Sequence, residues 1–400
     1  MKKALICLAL FLLAVQIPSF SQSLSERDGQ FTQEELVLDD KFISLNVDHF
    51  NTSLLLMLSY YYPRQFIFID NEVKDLVDEY VNGKDAGHKF IFRIDHKPAI
   101  GVMLKQDLLE RFTAALVLKF FFSKSVFASG MNIVIHEDGY AIPSEVWESI
   151  TLFYDENSDA IHNFESDIIS LVKRRIGPMV DFLGKERQFD YLLQKSLGIY
   201  ITLANNIQYL QGMADDHTRN GVMLYGVASE NEDAVLFFHE LAHIWFSTDK
   251  LKGSIIGEAE KSDKRKEYIK ILQNCVMKTV QGKSVQSESI ADLVDIIYDV
   301  PFLSFNEFSA IIFSNYLASR YIEESFKNGT YRFPRIASMD KNTWTYAENL
   351  FDWLIATHYF DDARTSSDLQ KMLYKEFVLF VLCMDQGLDY ALENYGEFVK

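Results

Sequence analysis

The sequence predicts an α+β protein that is predominantly helical, with a small mixed sheet in its N-terminal half. Three observations lead there. Apolar residues make up 48% of the 400-residue chain and charged residues 24%, the balance of a chain that buries a sizeable core. Apolar runs of strand length occur at 89–95 (KFIFRID), 100–104, 131–136 (MNIVIH) and 221–227 (GVMLYGV), all in the first 230 residues. From residue 231 to the end the apolar spacing is helical almost without interruption.

The elements follow in chain order. Residues 1–21 have the form of a signal peptide. Lys2 and Lys3 supply the positive start, the apolar stretch 4–15 is too short to span a bilayer, and Ser19 and Ser21 are the small residues before a cleavage point. Residues 22–40 are polar and read as a loose lead-in. The runs 89–95 and 100–104 form a hairpin around a turn at Lys97-Pro98. A helix is expected over 107–122 and a strand over 131–136. Helices then follow at 144–154, 164–183 and 189–210, and a short strand at 221–227. Nothing repeats and no segment is of low complexity. The organisation is a leader (1–21), a mixed region (22–205), a region carrying the chemistry (206–330) and a helical C-terminal region (331–400).

The charge excludes some partners. The chain carries 57 acids against 39 basic residues, a formal charge of −18. The leader holds two of those basic residues and no acid, so the mature chain is more acidic still. That argues against nucleic acid and against anionic membrane surfaces. Beyond the leader no stretch is long and apolar enough for stable membrane insertion. Of the three cysteines, Cys275 and Cys383 remain after the leader. They lie in apolar helical sequence without metal-knuckle spacing, either as buried thiols or as one disulfide.

One motif carries chemistry. His239-Glu240-Leu241-Ala242-His243 is HExxH. Two histidines four residues apart on a helix stand one above the other on one face, so both imidazoles can hold one zinc ion. Glu240, beside the first, can reach a water activated by that metal and act as general base. Ser229 and Glu232 make a capping box that would start the helix, and 235–246 is apolar apart from the motif. Polar groups in so apolar a helix need a strong partner. The other histidines, His49, His88, His96, His136 and His162, show no ligand spacing.

HExxH on a buried helix after a strand resembles the zincin superfamily of metallopeptidases. The metzincin branch needs a glycine and a third histidine soon after the motif, and 244–250 has neither. The remaining resemblance is to the gluzincins, whose third ligand is a glutamate on a later helix. It implies a zincin-like fold, one Zn2+ per chain in His2Glu coordination with a fourth position open, and the strand 221–227 as a cleft edge that pairs with extended substrate, although the residues themselves suit a simple buried strand equally well.

Three glutamates compete for the third position. Glu258 lies in a charged stretch that reads as the start of a solvated helix running through Lys264 and Tyr268. Glu288 opens Glu288-Ser289-Ile290-Ala291-Asp292, which resembles the gluzincin ExxAD segment. There the glutamate binds zinc, the alanine lets two helices approach, and the aspartate, here Asp292, supports a ligand histidine. Against it, Glu288, Asp292, Asp295 and Asp299 share one helical face, the pattern of a solvated acidic stripe. Glu307 is a lone acid in an otherwise apolar or small-residue helix, with Ala310 three residues on. The physical argument supports Glu307 as the alternative, but the ExxAD resemblance decides for Glu288 as the expected third ligand. An oxyanion donor is expected among His217, Tyr298, Tyr316 and His358, with no basis for choosing one.

The leader implies export to the periplasm or outside a bacterial cell, and the resemblance implies a zinc metallopeptidase acting on peptide or protein substrates. The sequence also leaves open an inactive zincin-scaffold binding protein of the envelope, a zinc amidase acting on cell-wall fragments, and an envelope module whose motif is accidental.

Overall fold

The computed structural model describes residues 31–38, 41–64, 71–82, 90–104, 143–185, 196–202, 212–215, 221–226, 233–246, 248–279, 284–298, 305–325 and 341–398. The expected leader 1–21, the helix 107–122, the strand 131–136 and the Ser229–Glu232 capping box lie outside them. The described residues are mostly helical with a small mixed sheet, as the α+β reading expects. They cluster into two compact units that divide between Phe237 and Phe238. That division is later than the expected 205/206, and the described part of 331–400 belongs to the same unit as the motif.

The first unit contains the sheet. β1 (Phe31–Leu38) and β2 (Lys41–Asp48) pair antiparallel over eight positions. β3 (Ser196–Thr202) runs parallel to β2, and β5 (Gly221–Gly226) parallel to β3. β4 (Gly212–Asp215) closes the order β1-β2-β3-β5-β4, antiparallel to β5. Ile43, Leu45 and Val47 alternate into the core from β2, and Leu197, Ile199 and Ile201 do the same from β3.

Three expectations are corrected here. The supposed lead-in 22–40 contains a full strand, β1. The supposed helix 189–210 contains β3, flanked on both sides by parallel neighbours. Its apolar residues alternate at 197, 199 and 201, and the β-branched and aromatic Ile199-Tyr200-Ile201 suits a pleat better than a helix. The strand 221–226 is interior, as its buried-strand reading has it and not its cleft-edge reading, because β4 covers its far side; among the described residues the edge strands are β1 and β4.

Helix α1 (His49–Tyr61) follows β2 directly. Asp48 caps it, its carboxylate accepting from the Asn51 N–H at 2.9 Å. Helix α2 (Asn71–Asn82) is amphipathic, with Val73, Val77 and Tyr80 buried. The expected hairpin is absent. Residues 90–92 are irregular, α3 (His96–Gly101) begins where the turn was expected, and a 3-10 turn (Val102–Leu104) ends it. Pro98 sits in the first turn of α3, where its missing N–H costs nothing.

The strand-like 89–95 pattern has another cause. Phe92 stacks on Tyr60 and Phe153, and Phe90 packs beside Tyr80 and Phe153. In place of a neighbouring strand, Asn157 satisfies the Ile91 backbone. It accepts from the Ile91 N–H at 2.6 Å and donates to the Ile91 carbonyl at 3.3 Å. Asn157 is also where α4 (Ser144–Lys185) kinks, with φ −127° and ψ 15°. The helices expected at 144–154 and 164–183 are thus the two arms of one bent helix.

The second unit has helices and no strand among its described residues. α5 (Asp233–Trp245), which starts before the division, carries HExxH. Then come α6 (Thr248–Lys261), α7 (Arg265–Thr279), α8 (Ile290–Tyr298), α9 (Phe305–Ser325), α10 (Lys341–Ala356), α11 (Ser366–Gln386) and α12 (Leu388–Phe398). α11 contacts α6, α7, α9, α10 and α12, and its residues 377, 378 and 380–382 are buried. It ends at Gly387, whose φ of +93° lets its N–H bond back to the Cys383 carbonyl and the chain turn into α12.

Glu258 lies in the last turn of α6, not at the start of a helix through Lys264, and pairs with Lys261 at 2.7 Å. Cys275 and Cys383 are free thiols, and burial pushes them up to about 12 and about 11. No helix among the described residues is long and apolar enough to cross a membrane.

Candidate metal centre

α5 is apolar on most sides. Phe237, Phe238, Leu241, Ala242, Trp245 and Phe246 are all buried, leaving His239 and His243 on the one partly open stripe. Trp245 and Phe246 pack edge-on to Phe313 of α9, and Phe238 to Tyr321. These contacts set the two helices against each other and bring the first turn of α9 to the histidine pair.

That turn carries Glu307. Its Oε1 lies 3.5 Å from His239 Nε2 and its Oε2 3.5 Å from His243 Nε2. The two Nε2 atoms are 3.0 Å apart, with the rings nearly perpendicular at 89°. Ligand atoms around one four-coordinate zinc, with bonds of about 2.0–2.1 Å, sit about 3.3 Å from each other. The triangle of 3.0, 3.5 and 3.5 Å therefore has the right size for a shared ion. The donor set also fits, two imidazoles and one carboxylate being a zinc set with one position free. His239, His243 and Glu307 are one of the groups whose ligand atoms all converge within 4.8 Å.

The electrostatics agree. Burial, and then the neighbouring His243, lower His239 to about 3. It is therefore neutral at ordinary pH, with a lone pair to give. Two nitrogen lone pairs pointing at each other across 3.0 Å repel unless a proton or a cation lies between them. Glu307 stands in the first turn of α9, where the exposed backbone N–H groups favour a carboxylate. The side chains of both histidines are 19% exposed and that of Glu307 39%, so one side of the group faces solvent. Glu240, between the two histidines in the motif, is 5% exposed. Burial, and then the charge of Glu307, hold its carboxyl well above the usual range.

Glu288 is not part of this group. It is exposed in the turn before α8, and the fold uses the ExxAD segment for a different purpose. Ser289 caps α8 by accepting from the Asp292 N–H at 3.1 Å, and the Asp292 carboxylate accepts from the Ser287 hydroxyl at 3.3 Å. The same letters spell a serine-x-x-acid helix start, with Ile290, Leu293, Val294 and Ile297 buried behind it. Asp292 and Asp295 are exposed, and Asp295 pairs with Lys252. The acidic stripe is a solvated face, and Asp292 orients no ligand histidine.

Of the oxyanion candidates, Tyr316 is fully buried and donates to Asp361 at 2.5 Å, a carboxylate that also takes Arg320. His358 is exposed beside the same pair. Both side chains are engaged there. His217 and the side chain of Tyr298 lie outside what is described.

No protein-family model, no curated protein and no solved structure matches the chain.

Proposed function

We propose that the protein is an exported zinc-dependent metallopeptidase of the gluzincin kind, with a zincin-like arrangement around α5 and α9. The observation that carries this reading is the convergence of His239 Nε2, His243 Nε2 and the Glu307 carboxylate within 3.0–3.5 Å, from two helices far apart in sequence. His239 and His243 would hold the ion as neutral imidazoles and Glu307 as the carboxylate. When bound, zinc supplies Lewis-acid polarisation of a scissile carbonyl and of a water molecule. Glu240 takes the proton from the attacking water and passes it to the leaving amine.

The substrate class is peptide or protein, reached outside the cytoplasm by way of the expected leader. The test is hydrolysis of unfolded casein and of a mixed quenched-fluorescent peptide set by the zinc-loaded chain, beside His239→Ala and Glu240→Gln. Cleavage by the wild type alone supports the reading. A wild type that holds zinc and cleaves nothing, or a Glu240→Gln variant as active as the wild type, would contradict it.

A further inference from the structure

A second group of ligand-bearing side chains lies in the first unit, outside the HExxH region. His49, His162 and Glu165 each offer a ligand atom within 4.8 Å of the others. His49 is the first residue of α1, at the end of β2. His162 and Glu165 stand one turn apart on α4. The fold therefore brings together residues more than a hundred positions apart. The spacing His162-x-x-Glu165 is the only part of this group visible in the sequence.

The surroundings are those of a built site. Glu165 is fully buried. Its Oε2 accepts from the Thr32 hydroxyl at 2.6 Å and lies 2.7 Å from His49 Nδ1. Its Oε1 is buried with no hydrogen-bond partner. His49 is itself buried, stacked on Tyr154 at 5.0 Å and tilted against His162 at 4.7 Å between ring centroids. The Tyr154 hydroxyl is 3.3 Å from His162 Nε2. His162 is exposed, so the group opens to solvent on one side.

A plain His49–Glu165 ion pair leaves much of this unexplained. Both Thr32 and His49 serve the same carboxylate oxygen, and the other is desolvated with nothing to accept from. An orphaned buried acceptor of that kind costs about 1–3 kcal/mol. The second imidazole has no role in such a pair. A cation bound to the carboxylate and both rings would answer each point, and the exposed His162 gives it a way in.

We propose that His49, His162 and Glu165 form a second divalent-cation site, independent of the HExxH site, for a zinc-class ion. Two imidazoles and a carboxylate suit Zn2+ or Co2+ better than Ca2+ or Mg2+, which take oxygen ligands. Binding separates His49 Nδ1 and Glu165 Oε2 from hydrogen-bond distance to about 3.3 Å, a side-chain adjustment of a few tenths of an ångström. The ion would pin the β2–α1 junction to α4 and brace the sheet against its longest helix.

The experiment uses the full chain, stripped with chelator, reloaded with Co2+, dialysed and assayed for cobalt per chain by mass spectrometry. Wild type, His162→Ala, His239→Ala and the double variant are compared. His162 is at the surface, so its removal leaves the fold intact, which circular dichroism checks. Two ions in the wild type, one in each single variant and none in the double variant are expected. If the HExxH reading alone fails, the wild type binds one ion, lost in His162→Ala and kept in His239→Ala. Cobalt content in His162→Ala equal to that of the wild type overturns the proposal, whatever His239→Ala does.

Discussion

Glu376 offers a prediction whose magnitude comes from the structure. It lies on α11, the helix that contacts five others in the unit carrying the HExxH helix, and is 1% exposed. Burial raises its carboxyl from the ordinary 4.5 to about 7, against smaller lowering effects from the Tyr359 hydroxyl bond and the Lys375 charge. Its Oε2 has no partner. Below pH 4.5 the acid is protonated in both folded and unfolded chains and costs nothing. Between 4.5 and 7 the folded chain holds a proton that the unfolded chain releases, so stability falls as pH rises.

Above 7 the full cost is present, about 3 kcal/mol at ~1.4 kcal/mol per pH unit. Glu376→Gln keeps the shape and removes the titration. Its melting temperature should match that of the wild type at pH 4. It should exceed it at pH 8 by roughly 6–12 °C, at about 2–4 °C per kcal/mol for a unit of this size. Calorimetry of both proteins from pH 4 to 8 gives the answer. Parallel curves at every pH, or a wild type that gains on the variant as pH rises, would refute the reasoning.

Other predictions concern the site and its frame. Glu240→Gln should keep bound zinc and lose about 10²–10⁴ in hydrolysis, read as kcat on a fluorescent peptide. Its zinc-free form should melt above the zinc-free wild type at pH 8 and level with it in acid, because burial disfavours the Glu240 carboxylate. Equal melting at pH 8 would count against a desolvated acid there. Ser289→Ala should lower stability by about 1 kcal/mol through the lost cap on α8 while leaving zinc content unchanged. A loss of zinc would restore the ExxAD segment as a ligand element. Asn157→Ala strips both backbone partners from Ile91 and should cost about 1–3 kcal/mol in urea unfolding. An unchanged midpoint would mean that the α4 kink does not depend on that amide.

The helical second unit was legible because its apolar spacing has one period throughout, and HExxH was legible because two ligands and a base sit within five residues. The third ligand was harder. Glu288 sat in the pattern a family resemblance favours, and Glu307 sat where burial and helix packing favour it. The structure brings Glu307 to the histidines because Phe313 and Tyr321 dock α9 on α5, a tertiary fact that no local pattern records. The sheet was misread for another reason. β3 is seven residues long, and its alternation at Leu197, Ile199 and Ile201 is too short to stand out from the helical spacing read across 189–210. The 89–95 run looked like a strand because its aromatics pack, yet its backbone partner is a side-chain amide. His49 could not be tied to His162 and Glu165 from sequence, since only the sheet and α4 together make them neighbours.

The central claim, a zinc site made by His239, His243 and Glu307, is tested most directly by competition binding of zinc. The purified chain would be compared with its Glu307→Ala and Glu288→Ala variants, each carrying His162→Ala to silence the other group. Zinc affinity falling at least about 100-fold in the Glu307 variant and unchanged in the Glu288 variant is the predicted result. Affinity untouched by Glu307→Ala, or abolished by Glu288→Ala, would contradict the account.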